Sequence, residues 1–343
     1  MALWTDIIDP ATLTGYARAS LADYEARRGT LAQWLPNRMV PGITVEFLKG
    51  ATGLVDVADF RAYDAEPTVG KAPPRSKVQL ELPALGQNIP VSEYNQLRAV
   101  GANPSDAAIL QTIQSTTDVV VRAVSDALER LRGIVLLTGK ATIANFMDDD
   151  FGRSAGHTVT AGASWLTAST DALGQMAAWN ETYVNTNGVP FGAMVTSTRV
   201  IRAMGALTQF ATQLSNGASR PATVQDVRNT VEAAGLPPIY VYDRRVSVGG
   251  ASTRVVADDK VIFLPPAVNP DDWMGTELGA TFWGRTLTSL EADWGIPDVD
   301  QPGLVAGVYR NEKPPMIAEV IGDAIGMPVL ANADLSFVAD VVP

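Results

Sequence analysis

The sequence predicts a mixed α+β chain, and three stretches carry that expectation. An apolar stripe from about residue 104 to 133 predicts one long helix, the segment from Val40 to Ser92 reads as strands and turns with no helix, and the stretch from Leu304 onward is rich in strand formers. With 343 residues, 46% of them hydrophobic and only 18% charged, the chain has ample apolar content for a core and too little charge for a solvated tail.

Taken in order, the first element is a helix through "ATLTGYARASLADYEARR", with Asp9 as its N-cap and Pro10 at the first helical position, where a missing N–H costs nothing. Gly29, Pro36 and Pro41 break the next stretch, and Leu31, Trp34 and Leu35 read as an apolar anchor. Alternation at Val45 and Phe47, and again at Val78, Leu80 and Leu82, marks half-buried strands on either side of a polar tip. A two-stranded projection is only marginally stable in water, so this one is expected to lie on something else.

The strongest local signal is "NPSDAAILQTIQSTTDVVVRAVSDALERLRG". Asn103 is the expected cap, Pro104 fits the first turn and Asp106 complements the helix dipole. Leu110, Ile113, Thr117, Val120, Val124, Ala127 and Leu131 then draw one stripe, ended near Gly133 or Gly139. At about 1.5 Å per residue this helix would be roughly 40 Å long. Beyond Lys140 the pattern is mixed: a strand "ATIANFM", a helix near "ASTDALGQMAAWNETYV", a strand turning into a helix capped by Ser197 or Thr198, a helix "TVQDVRNTVEAAGL", and a hairpin from "PPIYVYDRRVSV" through "GGAS" to "TRVVADDKVIFLPP".

Catalytic chemistry finds no complete set. Asp150, Phe151 and Gly152 spell the triplet that holds magnesium in protein kinases, yet no glycine-rich loop and no HRD lie upstream, so an acidic turn is the better reading. "SVGGAS" lacks dinucleotide-loop spacing and leads into a strand, and Ser164 misses the second glycine of a nucleophile elbow. The pairs Asp258–Asp259 and Asp271–Asp272 lack the ligand ladder of a calcium loop. Zero cysteines and one histidine, His157, exclude thiolate catalysis, disulfides and a histidine-based metal centre from one chain. Trp165, Trp179, Trp273, Trp283 and Trp294 either line a pocket or, more often for such residues, fill cores. No catalytic residue, cofactor or metal is expected.

The net charge of -11, with no basic stripe, argues against sequence-specific nucleic-acid binding. The start "MALWTDIIDP" lacks the pattern of a secretory signal, and no run reaches the roughly 20 apolar residues that span a bilayer, so no membrane partner is expected.

The order of parts, a helical arm, a β projection, a long helix, a mixed region and strands at the close, resembles that of tailed-phage capsid proteins with the Hong Kong 97 (HK97) type fold. "LADYEARRGTLAQWLPNRMVPGI" resembles the arm of the lambda-type major head protein family, often called major capsid protein E, in its actinobacteriophage and prophage members. "MIAEVIGDAIGMPVLANADLSFVADVV" resembles that family's closing strands. The resemblance implies an HK97-like fold with an N-arm (1–39), an E-loop (40–94), a P-domain (95–189) carrying the spine helix (about 104–133), an A-domain (190–302) and returning strands (303–343).

It also implies a function: a major capsid protein that self-assembles into pentamers and hexamers of an icosahedral head around the double-stranded DNA of a tailed phage. Assembly would take place in the cytoplasm of the bacterial host and the product would reside in the virion, with only non-specific proximity to DNA. Beyond itself, the implied partners are a portal, a decoration protein in place of lysine-to-asparagine crosslinks, and a separate scaffolding protein, the last because few residues precede the projection. Trp34, Lys71, Arg75 and Lys77 are candidates for intersubunit contacts. The competing view packs Trp34 within its own chain and leaves the cations solvated. An encapsulin-type shell around a protein cargo and, from another class, a soluble α+β enzyme are the alternatives.

Overall fold

The computed structural model describes residues 1–49, 76–100, 106–144, 146–214 and 221–342. Strand β1 (Ala2–Leu3) leads into helix α1 (Pro10–Arg28). The helix starts as its sequence dictates: the Asp9 carboxylate accepts the Thr12 N–H at 2.8 Å, and Gly29 ends it at a φ of 78° that favours glycine. The hydroxyl and N–H of Thr12 hold the Asp9 carboxyl below the usual carboxylate range.

A short turn with Leu31, Trp34 and Leu35 buried leads into β2 (Asn37–Met39). Strands β3 (Thr44–Lys49) and β4 (Ser76–Glu81) then pair antiparallel, with Val45 opposite Leu80 and Phe47 opposite Val78, so the alternating apolar face lies on the body. Lys71, Arg75 and the predicted polar tip lie outside the described residues. β5 (Ala84–Val91) and α2 (Glu93–Val100) come after.

Helix α3 (Asp106–Thr138) has 33 residues and is therefore about 50 Å long, more than expected. It runs through Gly133 and stops at Gly139, whose φ is 71°. Gly133 answers a different need, because a Cβ there would lie 2.4 Å from the Val255 carbonyl oxygen. Ala127, expected on the apolar stripe, is exposed, and Val121, Leu128 and Val135 are buried. The expected caps Asn103 and Pro104 lie outside the described residues. At the other end Arg153 donates to the Leu136 and Leu137 carbonyls, 3.0 Å to the latter, meeting acceptors that a helix end leaves unpaired.

The strand predicted through residues 141–147 is a hairpin instead, β6 (Lys140–Ile143) with β7 (Met147–Asp150). The kinase-like triplet closes it: Phe151 is buried, and Gly152, at a φ of 75°, donates its N–H to the Asp150 carboxylate at 2.7 Å. β8 (Thr158–Thr160), α4 (Ala172–Asn187) and β9 (Ala193–Thr196) come next. α5 (Thr198–Ala206) takes Ser197 as its cap, α6 (Thr208–Leu214) succeeds it, and a Thr223–Asp226 capping box starts α7 (Val224–Ala233).

After β10 (Ile239–Val241), strands β11 (Arg245–Val248) and β12 (Ala251–Arg254) form a hairpin that turns at Gly249 and Gly250, with φ of 58° and 83°. The hairpin is shorter than expected, because the flanking β10 and β13 (Lys260–Leu264) join a sheet instead. β14 (Gly279–Gly284), α8 (Leu287–Leu290), β15 (Val305–Arg310), β16 (Ala318–Leu330) and β17 (Phe337–Asp340) complete the described chain.

Two sheets organise these elements. One has the order β1-β15-β16-β14-β2, with β5 also on β16, and the other β10-β9-β13-β17-β8. α3 lies on β16 so closely that a Cβ on Gly322 would sit 2.4 Å from Val120. Its Val120, Val124 and Leu128 share a core with Leu13 of α1 and Val308 and Val320 of the first sheet. Its Val135 and Leu136 share the other core with Val195, Ile262, Phe263 and Phe337 of the second sheet. At about 1.5–3 kcal/mol per buried side chain of this size, both sheets are tied to one helix.

Candidate assembly surfaces

The joint between α1 and α3 is charged inside. Glu129 and Arg132, one turn apart on α3, form an ion pair of 2.9 Å, and neither side chain is exposed. Arg132 also donates to Glu25 and Thr30 at 3.1 Å, and to Asn37 and Thr281 at 2.9 Å. Glu129 accepts the Leu31 N–H at 2.6 Å, the Thr30 hydroxyl at 3.0 Å and the Tyr242 hydroxyl at 2.5 Å. Burial disfavours the Arg132 charge, but Glu25 and Glu129 outweigh it and hold the guanidinium above its ordinary pKa. Burial, and then the Glu129 carboxylate, push the Tyr242 phenol up, so it remains a donor.

Arg244 fastens the C-terminal end of α1. It donates to the Gly29 carbonyl at 2.9 Å, to Ser125 at 3.0 Å and to Asp126 at 2.8 Å, and it lies 5.1 Å from the centre of the Tyr24 ring. The Nε of Arg244 is buried without a hydrogen-bond partner among the described residues, while its two terminal nitrogens join α1, α3 and the loop before β11. Beside it, between α1 and β2, is a cavity of about 600 Å³ lined by Arg18, Glu25, Asn37 and Trp283.

The sequence did not single out this network, though a signal was present: Glu129 and Arg132 are two charges on the apolar stripe, between Leu128 and Val135. Of the residues it did single out, Trp34 is only 3% exposed and stands edge-on to Tyr240 at 5.3 Å, inside its own chain. Lys77 projects from β4 with 64% of its side chain exposed and pairs across the hairpin with Glu46 at 2.6 Å. Interior and exterior, these two do not share a surface. Lys71 and Arg75 lie outside the described residues.

The tryptophans serve packing. Trp165 is stacked on Trp179 at 6.2 Å and donates to Gln175 at 2.9 Å, Trp283 donates to Asn37 at 2.9 Å, and Trp294 is buried near Tyr309. Trp273 differs, lying under Arg38. Asp258 is taken up by Arg199 and Arg254. Among the described residues no group of three or more acids and histidines could hold a metal ion, and no helix is long and apolar enough to cross a membrane.

Against this geometry, comparison with known proteins is informative. The family model described as phage major capsid protein E matches residues 21–274. A putative capsid protein of a prophage of Escherichia coli CFT073 has a similar fold, with a TM-score of 0.63 at 12% identity over 98% of this chain and 99% of that one. A phage-related protein from Bordetella bronchiseptica RB50 also gives a TM-score of 0.63, at 14% identity over 98% of each chain. No curated protein matches the sequence. With the family match spanning most of its length and an α+β fold like that of the prophage capsid protein, this chain belongs to the phage major capsid protein E family and is a structural shell protein, not an enzyme.

Proposed function

We propose that this capsid protein forms hexamers and pentamers of itself, which close into an icosahedral head around the double-stranded DNA of a tailed phage. The observation that carries this reading is the β3–β4 pair, a two-stranded ribbon with no third strand among the described residues. Elements of this shape gain partners when they lie across a neighbour. Residues 1–39 serve as the N-arm, 40–94 as the E-loop, 95–189 as the P-domain, 190–302 as the A-domain and 303–343 as returning strands. Lys77, with Lys71 and Arg75, contacts a neighbour, and Trp34 supports the arm from within.

A separate scaffolding protein, a portal and a decoration protein complete the assembly, which takes place in the cytoplasm of the bacterial host. The net charge of -11 supports a wall that does not grip the DNA it encloses. Negative-stain electron microscopy of the purified protein, alone and with a candidate scaffolding protein, tests the reading. Rings or closed shells are expected. Persistent monomers under both conditions would overturn it, and shells that pack a protein rather than DNA would point to an encapsulin-type container.

A further inference from the structure

Among the described residues, Arg38 is a cation held in place without a counterion. It occupies the middle of β2, with its guanidinium carbon 4.0 Å from the centre of the Trp273 ring and 5.2 Å from that of Phe282. The aromatic faces stabilise the charge and leave the N–H edge of the fork unused. Among the described residues Arg38 makes no ion pair and no side-chain hydrogen bond. It borders a pocket of about 410 Å³ whose other walls include Phe47, Met274, Ala280 and Val329, with Glu277 at hand but not paired to Arg38. A planar fork of donors set in an apolar wall matches one kind of guest, a carboxylate beside an apolar side chain.

The chain presents such a group elsewhere on its surface. Val299 is 88% exposed, the most exposed large apolar side chain among the described residues, and it stands between Asp298 and Asp300 in a short helical turn. Asp298 has one oxygen engaged by Gln301 at 2.9 Å. Asp300 is freer, with 62% of its side chain exposed and only a 4.0 Å approach to Arg18.

We propose that the Arg38 pocket receives the Val299–Asp300 tip of a second copy of this chain, Val299 against the apolar wall and Asp300 paired with Arg38. The proposal rests on the self-assembly inferred above and supplies it with a contact. Charge complementarity favours this guest: with 37 acids against 26 basic residues, copies of the chain repel one another unless a cation free of internal partners meets an acid. Pocket and tip are different surfaces, so the contact is head-to-tail, the kind that closes into rings when the rotation permits.

Because the chain has no cysteine, the contact is open to disulfide trapping. Met274, on the pocket wall and 75% exposed, and Val299 are the positions to use, since neither substitution removes a buried group. The double variant Met274→Cys/Val299→Cys, oxidised after assembly, is expected to give a ladder of covalent oligomers on non-reducing gels, and each single variant none. In parallel, Arg38→Glu should lower the assembled fraction at least about tenfold by mass photometry, and Asp300→Arg in the same chain should restore it, which a folding defect would not allow. A wild-type chain that stays monomeric overturns the self-assembly reading and the contact together. Wild-type rings or shells, with no ladder from the double cysteine variant and normal assembly of Arg38→Glu, overturn the contact alone.

Discussion

Glu129 and Arg132 face each other across 2.9 Å with neither side chain reaching solvent, and Arg132 also holds Glu25 of α1. Removing the cation leaves two carboxylates with their partner gone. Arg132→Met should therefore cost about 3–5 kcal/mol, the range for an uncompensated buried charge. Chemical denaturation should report this as a lower midpoint at unchanged slope. Adding Glu129→Gln to that variant should recover part of the loss, because one of the stranded charges is then gone.

Gly133 sets two effects against each other. In a free helix, alanine would gain about 1 kcal/mol over glycine. Here the added Cβ would lie 2.4 Å from the Val255 carbonyl oxygen and 2.7 Å from its Cγ1, and overpacking of that kind costs about 1–3 kcal/mol or more. Gly133→Ala should lower the melting temperature. Gly15→Ala in α1, where nothing lies within 4 Å of the new Cβ, should raise it by the equivalent of about 0.5–1 kcal/mol.

His157 should make stability depend on pH in one direction. Its Nδ1 lies 2.8 Å from the Asp334 carbonyl and its Nε2 3.2 Å from the Thr186 hydroxyl, between the rings of Tyr183 and Phe337. Burial lowers its pKa; the Asp334 carboxylate opposes that shift and Arg153 adds to it. The unfolded chain takes up a proton near the ordinary value of about 6.5, the folded chain only at lower pH, so stability present above that value is lost as the solution is acidified. His157→Gln should show a smaller loss between neutral pH and mildly acidic pH than the parent chain in the same denaturant titration.

Trp34 and Lys77 should separate folding from assembly. Trp34→Ala should cost about 3–5 kcal/mol, as for other buried aromatics, and Trp34→Phe less, since the indole N–H has no partner to lose among the described residues. Lys77 pairs with Glu46 at the surface, a bond worth at most about 1 kcal/mol. Lys77→Ala should leave thermal melting nearly unchanged while lowering the yield of rings or shells. Unchanged yield would remove Lys77 from the intersubunit surface.

What was legible in the sequence was local. The Asp9 cap, the alternation of Val45 with Phe47 and of Val78 with Leu80, the Ser197 cap and the Gly249–Gly250 turn each arise from neighbours a few residues apart. The errors arose where distant residues decide. Gly133 looks like a helix stop until Val255 comes against it, Ala127 fits the stripe by spacing but faces outward, and β10 and β13 leave their hairpin because a sheet offers better partners. The Arg132 network escaped for the same reason, since Glu25, Asn37 and Thr281 come from three separate elements. Family wording was legible over residues 21–274, where the family model matches.

Strand β16 has a consequence for how the protein is made. It pairs residues 318–325 with residues 84–91 of β5, while β17 inserts residues 337–340 between β13 and β8. Neither sheet is complete until those residues have left the ribosome, which at roughly 5–20 residues per second is tens of seconds after β5 is synthesised. Throughout that interval the nascent chain holds open sheets that also make good templates for wrong pairing. Subunits therefore reach an assembly-competent shape only after their synthesis is nearly finished, and expression slowed or truncated before residue 318 should yield aggregates in place of small rings.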